Sequence, residues 1–174
     1  DREQKGKLPG VHIPEDINIT DCLEEAVKDR EMLVLAVPSV FVRGTARQLS
    51  GLVPEGQLIV CVAKGVEEDT LMTMTDIIEQ ELPMVDAAVL SGPSHAEEAG
   101  KGIPTTCVAG AHTRQTAEHI QNLFMSETFR VYTSPDMLGI ELGAALKNVV
   151  ALAAGIADGL GYGDNTKAAL ITRG

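Results

Sequence analysis

Short β-like runs, the first two of them continuously apolar, alternate with segments of helical period from Glu31 to Thr133. The runs are "MLVLAVP" (Met32–Pro38), "QLIVCVA" (Gln57–Ala63), "AAVLSG" (Ala87–Gly92), "TTCVAG" (Thr105–Gly110) and "FRVYTS" (Phe129–Ser134). An unbroken apolar run of this length is the mark of a strand buried on both faces, as in a parallel sheet. Helical segments are predicted at Asp21–Lys28, Val40–Ser50, Thr70–Leu82, a short one near His95–Ala99, and Arg114–Met125. Strands and helices alternating in this way build a βαβ-type sheet covered by helices.

The strand signal stops at Ser134. Ser134-Pro135-Asp136 reads as a helix start, with a serine cap, proline in the first turn and an acid at the positive end of the dipole. A long apolar helix is predicted from there to about Asp158, broken by "GLGYGDN" (Gly159–Asn165). A second helix begins near Asn165 or Thr166 and is still running at Gly174. Two units follow: residues 1–134 as a doubly wound α/β sheet, and residues 135–174 as the start of an all-helical domain. The first twenty residues hold no strand, although a doubly wound sheet ordinarily opens with one, and "ALITRG" ends without a cap. The expectation is a fragment.

Composition narrows the function. The chain has 174 residues, 44% of them hydrophobic, so a sizeable core is available. Aromatics make up only 3%, which leaves packing to Val, Ile, Leu, Ala and Met. A net charge of −11 argues against a hold on nucleic acid or anionic lipid, which needs a basic face. Cys22, Cys61 and Cys107 are odd in number and far apart, which predicts reduced thiols and a cytoplasmic protein. No apolar run is read as long enough to span a membrane; the nearest, Val149–Ala157, is too short, and no membrane insertion is expected.

Candidate chemistry sits at the strand ends, where open parallel sheets bind ligands. These ends read Pro38-Ser39-Val40-Phe41, Lys64-Gly65 and Ser91-Gly92-Pro93-Ser94. They offer an apolar ring, a cation beside glycine, and a tight turn with hydroxyl and backbone N–H groups suited to an anion or a sugar hydroxyl. Taken alone, a residue like Phe41 is more often core packing than a cofactor platform, and a lone Lys-Gly such as Lys64-Gly65 is usually a solvated turn. His12, His95, His112 and His119 show no metal spacing, and no metal site is expected. Lys147 interrupts "ELGAALKNVVALAAG" (Glu141–Gly155). At helical spacing it shares a face of small residues with Ile140, Ala144, Ala151 and Ala154, beside a larger apolar stripe of Leu138, Leu142, Ala145, Val149, Leu152 and Ile156. Such a lysine either snorkels at the rim of a packed helix or serves as a general base on an alcohol proton. The pattern leaves both open.

Four landmarks in order carry a resemblance: "LVLAVPS" (Leu33–Ser39), "VAKGVE" (Val62–Glu67), "SGPSHAEEAGKGIPT" (Ser91–Thr105) and the stretch from Glu141 to the end. The chain resembles the NAD(P)-dependent glycerol-3-phosphate dehydrogenase family over nearly its whole length. One departure is Ala144, where the family has glycine. The resemblance implies a Rossmann-type domain followed by a helical domain, with hydride transfer between NAD(P)H and C2 of dihydroxyacetone phosphate for glycerophospholipid precursor synthesis. It implies Lys147 as the proton acceptor, and Lys64 as a contact to both cofactor and substrate. It further implies Gly92 and Ser94 as substrate contacts, Ala96 as a cofactor contact and Phe41 near the nicotinamide. NAD or NADP is the implied cofactor, a phosphorylated three-carbon compound the substrate, and a homodimer the assembly. The family's glycine-rich fingerprint and its later substrate-binding cluster do not fall within these residues, so this chain alone is expected to be inactive. The rivals are another Rossmann-plus-helical hydroxy acid dehydrogenase and a noncatalytic nucleotide-binding module.

Overall fold

The computed structural model describes residue 6 and residues 8–173. The helix expected to continue at Gly174 and the strand-free reading of residues 1–5 and 7 fall outside them. In chain order the elements begin with α1 (Leu23–Val27), β1 (Met32–Leu35), a 3-10 turn (Ser39–Phe41), α2 (Val42–Leu49) and β2 (Leu58–Cys61). Next come α3 (Met74–Glu81), β3 (Asp86–Ser91), α4 (Ala96–Ala99), β4 (Thr105–Ala111) and α5 (Arg114–Phe124). β5 (Phe129–Ser134), α6 (Met137–Gly159) and α7 (Asp164–Arg173) complete the order.

The strands form one sheet in the order β1-β2-β3-β4-β5. Alternation along each strand feeds two cores, one on each face. Ile59, Cys61 and Ala87 pack with Val42, Ala46 and Leu49 of α2 and Met74, Ile77 and Ile78 of α3. Val60, Ala88 and Leu90 pack on the other face with Ala117 and Ile120 of α5 and Val131 of β5. Each strand of the predicted set is present, and the architecture is the α/β, Rossmann-like one, with a helical part at the carboxyl end. Cys61 and Cys107 are buried in β2 and β4, and Cys22 is exposed.

Four expectations need correction. The sheet is mixed: β1, β2 and β3 run parallel, but β4 is antiparallel to β3, and β5 is parallel to β4. The connection from Ser91 to Thr105 contains only the four-residue α4. Parallel crossovers ordinarily use a full helix to return the chain, and this link forms only one short turn of helix, so β4 enters beside β3 in the opposite sense. Helix α3 starts at Met74 rather than Thr70, because Thr73 and Asp76 form a capping box. The preceding Thr70 instead donates its hydroxyl to Glu67 at 2.6 Å. Helix α6 is capped by Asp136, which accepts from Gly139 N at 2.8 Å, not by Ser134. The Ser134 hydroxyl accepts from Asp136 N at 3.2 Å and fixes the turn ahead of the helix.

The fourth correction concerns length. Met137–Gly159 is long and apolar enough, by length and composition, to cross a membrane. The sequence reading missed this because Glu141 and Lys147 divide the run. In this fold α6 lies against β3 and β4. Its larger apolar stripe is mostly open: Leu138, Val149, Leu152 and Ile156 are each more than half exposed.

One polar network ties the first half together. The Arg43 guanidinium of α2 donates to both Glu67 oxygens, at 2.7 and 2.6 Å, and also to Glu81 and Gln80 of α3. Arg47 adds a second bridge to Glu81 at 3.0 Å. This planar, forked donor matches two carboxylates at once, as a lysine could not.

Candidate functional site

A cavity of about 270 Å³ lies where β2, β3 and β4 meet α6. Lys64, Ser91, Gly92, Pro93, Val108, Ile140, Gly143, Ala144 and Lys147 line it. Lys64 comes from the carboxyl end of β2, and Ser91 and Gly92 from that of β3. Ile140, Ala144 and Lys147 come from one stripe of α6, spaced as residues on one helix face must be. Of the stripe predicted from sequence, Ala151 and Ala154 do not reach the cavity.

The turn after β3 is built around Gly92. A Cβ there would lie 2.5 Å from the Thr106 carbonyl oxygen and 2.8 Å from Cys107 Cα, both backbone atoms of β4. Only glycine lets β3 leave the sheet this close to its neighbour. The Gly92 carbonyl then accepts from Lys64 Nζ at 2.9 Å, and Ser94 Oγ lies 3.4 Å from the same ammonium. A lysine has three donors, so one remains for a ligand oxygen. Gly65, next to Lys64, has φ +147°, and a Cβ there would meet Ser39 Oγ at 2.9 Å. The ends of β1 and β2 are thus held together by a residue without a side chain.

Glu141 sets the position of α6. It is 4% exposed. Its carboxylate accepts from Thr75 N at 3.0 Å and from Thr75 Oγ1 at 2.5 Å, at the N-terminus of α3. A carboxylate here satisfies an N–H that the helix cannot and meets the positive end of its dipole. Lys147 lies further along the same helix, so this clamp fixes the lysine relative to the sheet.

The other predicted residues are placed as follows. Ser94 reaches the site through Lys64. Phe41 is 60% exposed at the end of the 3-10 turn after β1, and Ala96 is exposed at the start of α4; neither lines the cavity. Burial pushes the Cys61 thiol up to about 11, and the nearby Glu141 charge adds to the rise. Burial also raises the Cys107 thiol, against the opposing pull of Ser94 and Lys64. Both thiols stay protonated near neutral pH and are not nucleophiles. His112 pairs with Glu79, which raises its pKa, and lies outside the cavity. Among the described residues, no group of three or more His, Cys, Asp or Glu is arranged to hold a metal ion. A larger hollow, about 580 Å³, opens among residues preceding β1 and β2, including Lys28, Arg30 and Gln57, at the strands' amino ends. Ligands of open α/β sheets bind at the opposite end.

Two ammonium groups from separate elements therefore border one small cavity whose remaining walls are largely apolar. The arrangement can hold an anionic or carbonyl-bearing ligand and stabilise negative charge developing on its oxygen. Comparison with known proteins extends this. The family model for the NAD-dependent glycerol-3-phosphate dehydrogenase N-terminus matches residues 1–117, and the model for the C-terminus matches residues 136–174. The chain belongs to the NAD-dependent glycerol-3-phosphate dehydrogenase family. Among its relatives within that family is the glycerol-3-phosphate dehydrogenase NAD(P)+ of Agathobacter rectalis. It is 65% identical over 99% of this chain and 51% of the relative. That of Fusobacterium nucleatum is 64% identical, over 99% and 52%. The crystal structure of glycerol-3-phosphate dehydrogenase from Coxiella burnetii superposes with TM-score 0.87 at 30% identity, covering 99% of this chain and 53% of that one. The chain spans about half the length of the curated relatives it matches.

Sequence reasoning about this family member gave no role of its own to Glu141 and named Ser91 only as part of the turn that ends the third run. Glu141 carried a usable signal: a carboxylate alone in an apolar helix is as anomalous as the lysine that drew notice. Ser91 carried only the signal of its turn, because a serine at a strand end does not by itself show that its hydroxyl lacks a partner.

Proposed function

We propose that the full-length protein containing this chain interconverts dihydroxyacetone phosphate and sn-glycerol 3-phosphate with NAD(P)H. The observation that carries the reading is that Lys64 and Lys147, from different elements, border one cavity beside the Gly92 turn in a member of this family. Residues 1–134 act as the dinucleotide-binding domain and residues 135–174 open the helical domain, with the substrate between them. The exposed apolar pair Val40 and Phe41, at the carboxyl end of β1, suits the flat ring of a nicotinamide. When bound there, the cofactor supplies the hydride for C2. The Lys147 amine takes the proton from the C2 hydroxyl in one direction and returns it in the other. Lys64, held by Gly92 and Ser94, adds a second positive charge against the developing alkoxide. Val108, Pro93 and Ile140 wall the cavity with apolar surface, which strengthens both interactions. A cytoplasmic homodimer supplying glycerophospholipid precursors belongs to the same proposal; three free cysteines support a reducing compartment.

Steady-state assays of the full-length protein test this. The account expects oxidation of NADH or NADPH with dihydroxyacetone phosphate and none with an unphosphorylated 2-oxo acid. The reverse preference would favour the hydroxy acid dehydrogenase, and cofactor binding without turnover the noncatalytic module.

A further inference from the structure

Ser91 is the last residue of β3 and is 3% exposed. Its Oγ is the one buried side-chain oxygen or nitrogen among the described residues that has no hydrogen-bond partner. Leaving a hydroxyl in that state costs a folded protein free energy, so a buried polar atom without a partner calls for an explanation. An alanine would fill the same space without that cost.

The direction of the side chain follows from the sheet. Ser91 sits opposite Val108 in the β3–β4 register, and both line the cavity. Two residues earlier, Val89 sits opposite Gly110, where a Cβ would meet Ile140 and Met137 of α6. Residues two apart share a face, so Ser91 faces α6 as Val89 does. Its side chain therefore lies on the sheet face that borders the cavity, which Ile140, Gly143, Ala144 and Lys147 close from the other side, with the hydroxyl just beneath the cavity wall.

The chemistry of the lining says what it would bind. Lys64 donates, Lys147 is engaged with the C2 oxygen in the reading above, and the remaining lining side chains are apolar or absent. Ser91 is the one lining side chain left to accept a hydrogen bond from another part of the ligand. We propose that Ser91 Oγ accepts from the free terminal hydroxyl of the three-carbon phosphorylated substrate, and that it selects for substrates bearing that hydroxyl. The inference rests on the dehydrogenase reading above. It adds to it a division of labour in which the lysines take the carbonyl oxygen and negative charge and the serine takes the one neutral donor.

The test compares full-length wild type with Ser91→Ala on two substrates, dihydroxyacetone phosphate and 2-oxopropyl phosphate, which has a methyl group in place of the hydroxymethyl group. Wild type is expected to prefer dihydroxyacetone phosphate by about 10-fold or more in kcat/KM, the worth of one neutral hydrogen bond in a dry site. Ser91→Ala should lose about 3- to 10-fold on dihydroxyacetone phosphate and little on the methyl analogue, so the preference collapses. NADH affinity should stay within about two-fold, and the ligand-free Tm should hold or rise, since no internal bond is lost. Equal losses on both substrates, weakened NADH binding or a lower ligand-free Tm would each overturn the proposal. If wild type turns over neither compound, the dehydrogenase reading fails first and takes this one with it.

Discussion

Replacing Glu141 by alanine should loosen the joint between α6 and the sheet. The carboxylate is buried and accepts two hydrogen bonds, from Thr75 N at 3.0 Å and Thr75 Oγ1 at 2.5 Å. Bonds to a charged acceptor are worth about 1.5–3 kcal/mol each, and a buried N–H left without a partner costs about 1–3 kcal/mol. Two effects offset part of this. The Thr75 hydroxyl can turn toward Thr73 Oγ1, 3.4 Å away, and the cost of burying a charge disappears. The net destabilisation is about 2–4 kcal/mol, which corresponds to a Tm lower by about 3–6 °C in a protein about twice the length of this chain. Glu141→Gln keeps the shape and an oxygen for Thr75 N–H but loses the charge, and should cost about 1 kcal/mol. Thermal melts of the full-length protein followed by circular dichroism give the first readout. The second is turnover, which should fall more for alanine than for glutamine because Lys147 moves with α6. Equal Tm values for wild type and Glu141→Ala would refute the clamp. So would a destabilised alanine variant with unchanged turnover, which would separate the clamp from the lysine's position.

Two further outcomes are expected. The Arg43 guanidinium beside Glu67 holds that carboxyl down at about 2, against an ordinary value of 4.5. A depressed carboxyl stabilises the fold above its ordinary value and loses that contribution as pH falls toward 2. Melts between about pH 5 and pH 2 should show a steeper acid loss for wild type than for Glu67→Gln, and parallel curves would sink the assignment. Gly92→Ala forces a methyl group against the β4 backbone; overpacking of this kind costs about 1–3 kcal/mol. Because the Gly92 carbonyl also holds Lys64, its Tm and its turnover should fall together, and a fully active variant with a normal melt would contradict the turn geometry.

Much of this was legible in the chain. The five β-like runs named the five strands: β2 and β3 are almost wholly buried between helices on both faces and needed no polar alternation, whereas β1 and β5 are partly exposed and were legible from their β-branched and aromatic residues. The long helix after Ser134 was legible from its turn signals and its composition. The direction of β4 was not, because an antiparallel strand buried on both sides has the same apolar look as a parallel one. Only the shortness of α4, at four residues, hinted at it. The α3 start was misplaced because Thr70 and Thr73 are both plausible caps, and the acid at Asp76 decides for Thr73. In the site, Lys147 and Lys64 stood out as cations where cations are rare. Ser91 did not, since its meaning lies in a missing partner, which only three dimensions display.

The most direct test of the account is Lys147→Ala in the full-length protein, assayed for both turnover and cofactor binding. The account predicts kcat lower by about 100- to 10,000-fold, the usual contribution of a positioned acid–base group, with NADH affinity within about two-fold of wild type. Turnover within about three-fold of wild type would contradict it, because a lysine that merely snorkels at the rim of α6 has no proton to move.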